Sequence, residues 1–163
     1  LFTTWHVGAR DIDFWSSQMS DPVSDPVIEA MQSYNRWLKG FNTRDRTAMV
    51  GELHFPHLRL SGTNQIQVWN TAEDINEAFD EQTCRLKEEG WIRTDSDFIE
   101  AIQSGPDKVH LTMVQSRIHR DGGEYNRFQT LWLFIRDGGR WGVKFRSSFL
   151  VNATENTNFR GIK

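Results

Sequence analysis

VHLTMVQSRIHRDGGEYNRFQTLWLFIRDGGRWGVKFRSSFL, the stretch from Val109 to Leu150, decides the fold. One tetrapeptide occurs in it twice, as Arg120-Asp121-Gly122-Gly123 and as Arg136-Asp137-Gly138-Gly139. Asp-Gly-Gly is turn chemistry, because glycine reaches the positive φ that a tight hairpin needs. The runs around the two turns are rich in aromatic and β-branched residues, which suit a pleated, half-buried surface. Three long antiparallel strands are therefore predicted over 109–119, 125–136 and 140–150. On the middle strand Phe128, Thr130, Trp132 and Phe134 share one face, and Leu131, Leu133 and Ile135 share the other. Two apolar faces imply that both are covered. Helices can cover one; a second subunit is expected on the other, making a homodimer through the sheet.

Toward the N-terminus, Trp91 to Ile102 reads as a further strand, broken at Ser104-Gly105-Pro106-Asp107. Asn70-Thr71-Ala72-Glu73 has the form of a capping box. It opens a helix carrying Ile75, Ala78, Phe79 and Leu86 and closing at Gly90. Cys84 falls on this helix and is expected to be a small buried apolar residue. His54 to Ser61 and Gln65 to Trp69 form a short hairpin through Ser61-Gly62-Thr63-Asn64. Asp45 caps a short helix over Arg46 to Glu52. Asp25-Pro26 reads as an N-cap with proline at the first helical position. Ile28, Met31, Tyr34 or Asn35, Leu38 and Phe41 then recur at helical spacing to about Asn42. The chain thus divides into an arm over 1–24, one α+β domain over 25–152 and a tail over 153–163. Four aromatics in the arm, Phe2, Trp5, Phe14 and Trp15, argue that it packs on this domain or on a partner, since disordered segments are poor in aromatics.

Composition narrows the function classes. At 163 residues, 37% hydrophobic, with seven Trp and eleven Phe, one well-filled core is expected. A net charge of −3 implies no affinity for nucleic acid. Fourteen of the 19 basic residues are Arg, which suits pairing with carboxylate or phosphate and equally forms surface ion pairs. A lone cysteine excludes an intramolecular disulfide and a Cys-based metal cluster. No run of about 18 apolar residues predicts a membrane span. No basic region followed by an apolar core is visible at the start, so a cytoplasmic protein is expected. Neither a phosphate loop nor a dinucleotide fingerprint is present, and no cofactor is expected.

The order of elements, with Asn42-Thr43-Arg44-Asp45, Leu53-His54-Phe55-Pro56-His57-Leu58-Arg59-Leu60-Ser61-Gly62 and Asp137-Gly138-Gly139-Arg140-Trp141-Gly142-Val143, resembles the nuclear transport factor 2-like superfamily. This cone fold, a cystatin-like α+β arrangement, is shared with SnoaL-type polyketide cyclases, ketosteroid isomerases and scytalone dehydratases. The resemblance runs from about Asp25 to Leu150. It implies a curved antiparallel sheet wrapped around the N-terminal helices, with a conical pocket between them for a small apolar or amphipathic molecule. It also implies functional groups on the first helix, the first strand and the inward positions of the meander. The family's isomerases carry a carboxylate base at the end of the first strand, which falls here on Ser61 or a neighbour. No Asp or Glu lies between Leu53 and Gln65. A second acid of that pattern falls near Thr130 or Leu131. The chain departs from ketosteroid isomerase at both places, and the fold alone does not assign an activity.

His54 and His57 lead the candidates for acid–base chemistry, because histidine titrates near neutrality. Residues three apart on a strand face opposite sides, so both enter the cone only if Pro56 distorts the strand. In one register His57, Arg59 and Ser61 face the cone. In the other Leu58 and Leu60 fill the core and His57 meets solvent. In the first, burial would lower the His57 pKa and keep it neutral, able to accept a proton near pH 7. Tyr34 on the first helix is either a donor to a ligand oxygen or a core aromatic with a satisfied hydroxyl. Trp37 is read as pocket wall, with Thr130, Trp132 and Phe134 on the meander. Arg117 is open between a ligand-selecting position and the rim, whereas Arg146 is assigned to the outer face with Lys144 and Ser148. A zinc site is not expected, since His-x-x-x-His and Cys-x-x-Cys are absent. Two readings follow: a cofactor-free isomerase, cyclase or dehydratase with His57 as base and Tyr34 as donor, or a non-catalytic binding or assembly module. A cone packed with Trp37, Trp132 and Phe134 favours the module; an open cone where His57 and Tyr34 converge favours the enzyme.

Overall fold

The computed structural model describes residues 25–150. The aromatic arm over 1–24 and the tail over 153–163 lie outside the described residues. Helix α1 (Pro26–Thr43) starts where the Asp25 side chain accepts a hydrogen bond from the Val27 N–H at 2.8 Å. Such a cap contributes about 1 kcal/mol. The helix ends where Arg44 adopts a left-handed φ of 54°. Its buried stripe is Ala30, Tyr34, Trp37 and Phe41, whereas Ile28, expected on the apolar face, is 56% exposed. The large rings win the core-facing side because they remove more apolar surface from water. At the far end of α1, Asn42 donates to the Thr94 carbonyl at 2.9 Å and accepts from the Thr94 N–H at 2.8 Å, pinning the helix to the sheet.

Helix α2 (Arg46–Gly51) is capped by Asp45, as expected, through the Ala48 N–H at 3.0 Å. Strands β1 (Leu53–Leu60) and β2 (Ile66–Trp69) form the first hairpin, and helix α3 (Asp74–Glu88) follows. The capping box of α3 lies one residue later than expected. Thr71 Oγ1 accepts from the Asp74 N–H at 3.4 Å, and Asp74 accepts from the Thr71 N–H at 3.1 Å. The buried stripe of α3 is Ile75, Phe79 and Leu86, and Cys84 is exposed rather than buried. Five residues past Phe79 is about 140° round the helix, which turns Cys84 off that stripe.

Strands β3 (Trp91–Gly105), β4 (Lys108–His119), β5 (Glu124–Asp137) and β6 (Arg140–Ser148) form the meander, turning where both Asp-Gly-Gly sequences lie. Gly138 and Gly139 both take positive φ, 57° and 77°, which is what the repeated glycines supply. The sheet order is β2-β1-β6-β5-β4-β3. Every pairing is antiparallel except that of β1 with β6, which is parallel. A hairpin forces its own two strands antiparallel, but β1 and β6 are joined through most of the chain and escape that constraint. Along β5, Asn126, Phe128, Thr130, Trp132 and Phe134 are buried while the residues between them are half-buried. The buried face wraps α1, and the core runs from Ala30 and Tyr34 across Val109, Leu111, Trp132, Phe134 and Val143. Among the described residues no helix is long and apolar enough to cross a membrane.

Candidate functional site

The concave face has two ends of different character. At the deep end, Trp37, Trp132 and Phe134 are at most 3% exposed. Trp37 meets Trp132 edge-on at 4.6 Å between ring centroids, and Trp132 stacks with Phe134 at 6.2 Å. Tyr34 is fully buried against Trp132 at 5.3 Å. Its oxygen accepts from Gln115 Nε2 at 3.0 Å, and the hydroxyl shares a second hydrogen bond with Ser96 Oγ. Burial pushes the Tyr34 pKa up, so the phenol stays neutral. Trp132 Nε1 donates to Thr130 Oγ1 at 2.9 Å, and Thr130 donates in turn to the Ser147 carbonyl at 2.6 Å.

On β1 both His54 and His57 are buried, 7% and 0% exposed. The β1–β6 register shifts between Leu53 and Leu58, in the segment that holds the cis Phe55–Pro56 bond, and this breaks the strand alternation. His54 is a structural link: Arg140 donates to its Nδ1 at 3.1 Å, and its Nε2–H donates to the Arg140 carbonyl at 3.0 Å. His57 donates from Nδ1 to the Val143 carbonyl at 3.3 Å and stacks on Trp69 at 5.8 Å. Its Nε2 is buried without a partner among the described residues. Burial first, and then Arg146, pull its pKa down to about 3. Among the described residues no hydrogen bond joins His57 to Tyr34; each is bonded elsewhere.

At the open end, Arg59, Arg117 and Arg146 converge with Trp37, Phe41 and Gln115 around an inner cavity of about 50 Å³. It continues into a wider mouth of about 320 Å³, where Arg59 and Arg117 meet Ser61, Gln82, Arg85 and Glu89. Arg117 is ion-paired with Glu89 at 2.8 Å, and the two side chains are 9% and 8% exposed. Tyr125 donates to the same carboxylate at 2.6 Å. Among the described residues Arg59 reaches only the Gln67 amide oxygen, at 3.4 Å. Burial, then the charges of Arg117 and Arg85, hold its pKa below the ordinary arginine value.

Arg146 is the correction to the sequence reading. It was expected on the outer face, and it lies inside, 5.3 Å from the Trp37 ring centre and 5.2 Å from that of Trp132. The β5–β6 register shifts between Leu133 and Phe134, leaving Lys144 as an extra residue. Val143 faces inward before the bulge, and Arg146, paired with Trp132, faces inward after it. A one-residue bulge flips every side chain beyond it. Burial, then Arg59, push the Arg146 pKa down to about 9, so it remains cationic at neutral pH. Its Nε–H is buried with no partner among the described residues. The structure therefore gathers Arg59, Ser61, Arg117 and Thr130 along one open end, with Trp37 and Trp132 of the deep end as its floor, and leaves Tyr34, Phe134 and His57 in closed surroundings. Arg146, Gln115, Gln82 and Arg85 join the site without a sequence signal that marked them. Among the described residues no three His, Cys, Asp or Glu side chains gather as metal ligands would.

A helix-wrapping, unclosed α+β sheet with a cavity at its wide end defines the class, the cystatin-like cone. Residues 28–154 match the family described as NTF2-like protein (DUF6841), and the chain belongs to that family. No curated protein matches it in sequence. It is similar in structure to an NTF2-like protein with a cystatin-like fold from Novosphingobium aromaticivorans, with a TM-score of 0.63 and 15% identity over 86% of this chain and 90% of that one. It is also similar to an NTF2-like protein of unknown function from Pseudomonas putida, with a TM-score of 0.61 and 12% identity over 76% and 87%. A ketosteroid isomerase-like protein from Erwinia carotovora gives a TM-score of 0.57 and 13% identity over 77% and 95%. At these identities the likeness concerns the fold.

Proposed function

We propose that this NTF2-like chain is a non-catalytic binding module that takes a small amphipathic molecule at the mouth of its cone. One observation carries the reading: the deep end, where proton-transfer chemistry would be housed, is filled by Trp37, Trp132 and Phe134. The groups that would do that chemistry are engaged. The Tyr34 hydroxyl is bonded to Ser96 and Gln115, and His57 has a pKa of about 3, far below the neutral range in which a general base works best. The open end keeps an aromatic floor and a few convergent polar groups, the usual make-up of a small-molecule site. The test is an amide-resolved NMR titration with a fragment set of small aromatic and aliphatic acids, amides and alcohols. Saturable shifts clustered on the strand segments around Arg59, Gln115 and Arg117 are expected. A titration with no saturable cluster at the mouth would overturn the reading.

A second copy of the chain is the other proposed partner, on the outer face of the sheet. Phe98, Ile102 and Phe149 are 74%, 49% and 54% exposed. Phe98 and Phe149 border a groove of about 650 Å³ that also contains Leu131. Exposed apolar patches of this kind mark association surfaces. Sedimentation as a dimer at micromolar concentration is expected, and a monomer throughout that range would count against it.

A further inference from the structure

The charge at the open end specifies what the ligand carries. Three guanidiniums meet there, and one carboxylate, Glu89, answers them by pairing with Arg117. Among the described residues no carboxylate pairs with Arg59 or Arg146. Two buried donors, Arg146 Nε–H and Trp37 Nε1–H, lack an acceptor, and both residues line the inner cavity. Drawing a charge partly out of water without a counter-charge is unfavourable, and so is each buried donor without an acceptor. Natural folds depart from satisfied polar burial mainly at functional sites. Unmatched donors beside unmatched cations call for a group that accepts only and carries negative charge.

We infer that the inner cavity binds the carboxylate of a small organic acid, held by the N–H edge of Arg146 with Arg59 as the second cation. The inference rests on the binding reading above and names the ligand class. The Arg146 guanidinium lies against the Trp37 and Trp132 indoles, and all its donors lie in its own plane. In-plane bidentate pairing is the geometry in which a guanidinium meets a carboxylate. The inner cavity of about 50 Å³ has room for roughly three to five water positions, enough for a carboxylate head. The rest of the molecule occupies the wider mouth, whose walls are mainly Gln, Ser, Thr and Arg side chains.

The experiment is thermal unfolding of the full chain in sodium benzoate, with benzamide and sodium chloride at matched ionic strength as controls. A ligand that binds only the folded state raises Tm in a saturable way. Benzoate is expected to raise Tm, and benzamide and chloride are not. In Arg146→Met the benzoate effect should weaken at least tenfold, while Tm in chloride stays level or rises, because an unpaired buried charge has gone. Arg146→Lys, which keeps the charge and loses the fork, should weaken benzoate binding by about tenfold. A Tm loss of several degrees in both variants would make Arg146 a packing element on the two indoles and overturn the inference. An equal shift with benzamide would sink the carboxylate and leave the binding module standing. No saturable shift with either probe, together with an empty fragment titration, would remove both.

Discussion

The deep end of the cone and its mouth are built from the same strands, yet they obey different rules. At the deep end Tyr34, Trp132 and Phe134 are buried, and the Tyr34 hydroxyl and the Trp132 N–H both have partners. A few residues away, Arg59 and Arg146 are half-buried with no carboxylate partner among the described residues, while Arg117 is matched by Glu89. The β5–β6 bulge separates the two regimes, because it is what turns Arg146 toward Trp132. One region is shaped for stability alone. The other gives up stability to hold donors and positive charge around a cavity. That contrast is what the proposed binding site rests on.

The largest expected effect tests the deep end. Trp132→Ala removes the central ring of the aromatic cluster and should cost about 3–5 kcal/mol in urea unfolding. A loss below about 1 kcal/mol would mean that the deep end is not the close-packed region described. The next tests the mouth. Glu89→Gln leaves Arg117 buried and unanswered, and breaking a buried pair in this way costs about 3 kcal/mol. The same change adds one unit of positive charge beside the cavity, so benzoate should bind more tightly as stability falls. Stability and binding moving in the same direction would break the comparison.

Much of the deep end was legible in the sequence, and the mouth was legible only in part. The paired Asp-Gly-Gly turns fixed the meander, because turn chemistry is local and glycine at positive φ has few alternatives. Strand parity from there put Phe128, Thr130, Trp132 and Phe134 on the buried face, where they lie. On β1 parity left two registers open, and only the family resemblance favoured the one with Arg59 and Ser61 inward, which now border the mouth. Arg146 did not, since the extra residue at Lys144 is a register event between two strands and leaves no mark in either one alone. The parallel β1–β6 pairing escaped for a related reason, being set by elements far apart in the chain. Cys84 was expected buried for its residue type and Ile28 for its spacing, but helix geometry already puts both well round from the rings that fill the core.

The next effect is a pH dependence at the boundary between the regions. His57 has a pKa of about 3 in the folded protein against about 6.5 in an unfolded chain. Between those values the unfolded state binds the proton and the folded state does not, so stability is highest above pH 6.5 and falls as pH falls toward 3. From pH 6.5 to 5 the loss is on the order of 2 kcal/mol. His54, whose pKa is also lowered by burial and Arg140, adds in the same direction. His57→Gln keeps an N–H for the Val143 carbonyl and should flatten the profile over this window in urea unfolding at pH 7 and pH 5. An unchanged slope in the variant would show that the imidazole is not held neutral by its surroundings.

The smallest effect separates the two functions considered for the first helix. Tyr34→Phe keeps the ring among Trp37, Trp132 and Phe134 and removes only the hydroxyl. Gln115 then loses the acceptor for its Nε2–H and Ser96 loses its partner, at a cost of about 1–2 kcal/mol. That corresponds to a fall in Tm of roughly 3–6 °C for a domain of this size. Benzoate binding should change little, because the hydroxyl bonds Ser96 and Gln115 and Tyr34 does not line the inner cavity. A loss of binding with little change in Tm would place the phenol in contact with the ligand and join the deep end to the mouth. A Tm change without a binding change keeps them apart, with the aromatic cluster serving as the rigid floor against which Arg146 is held.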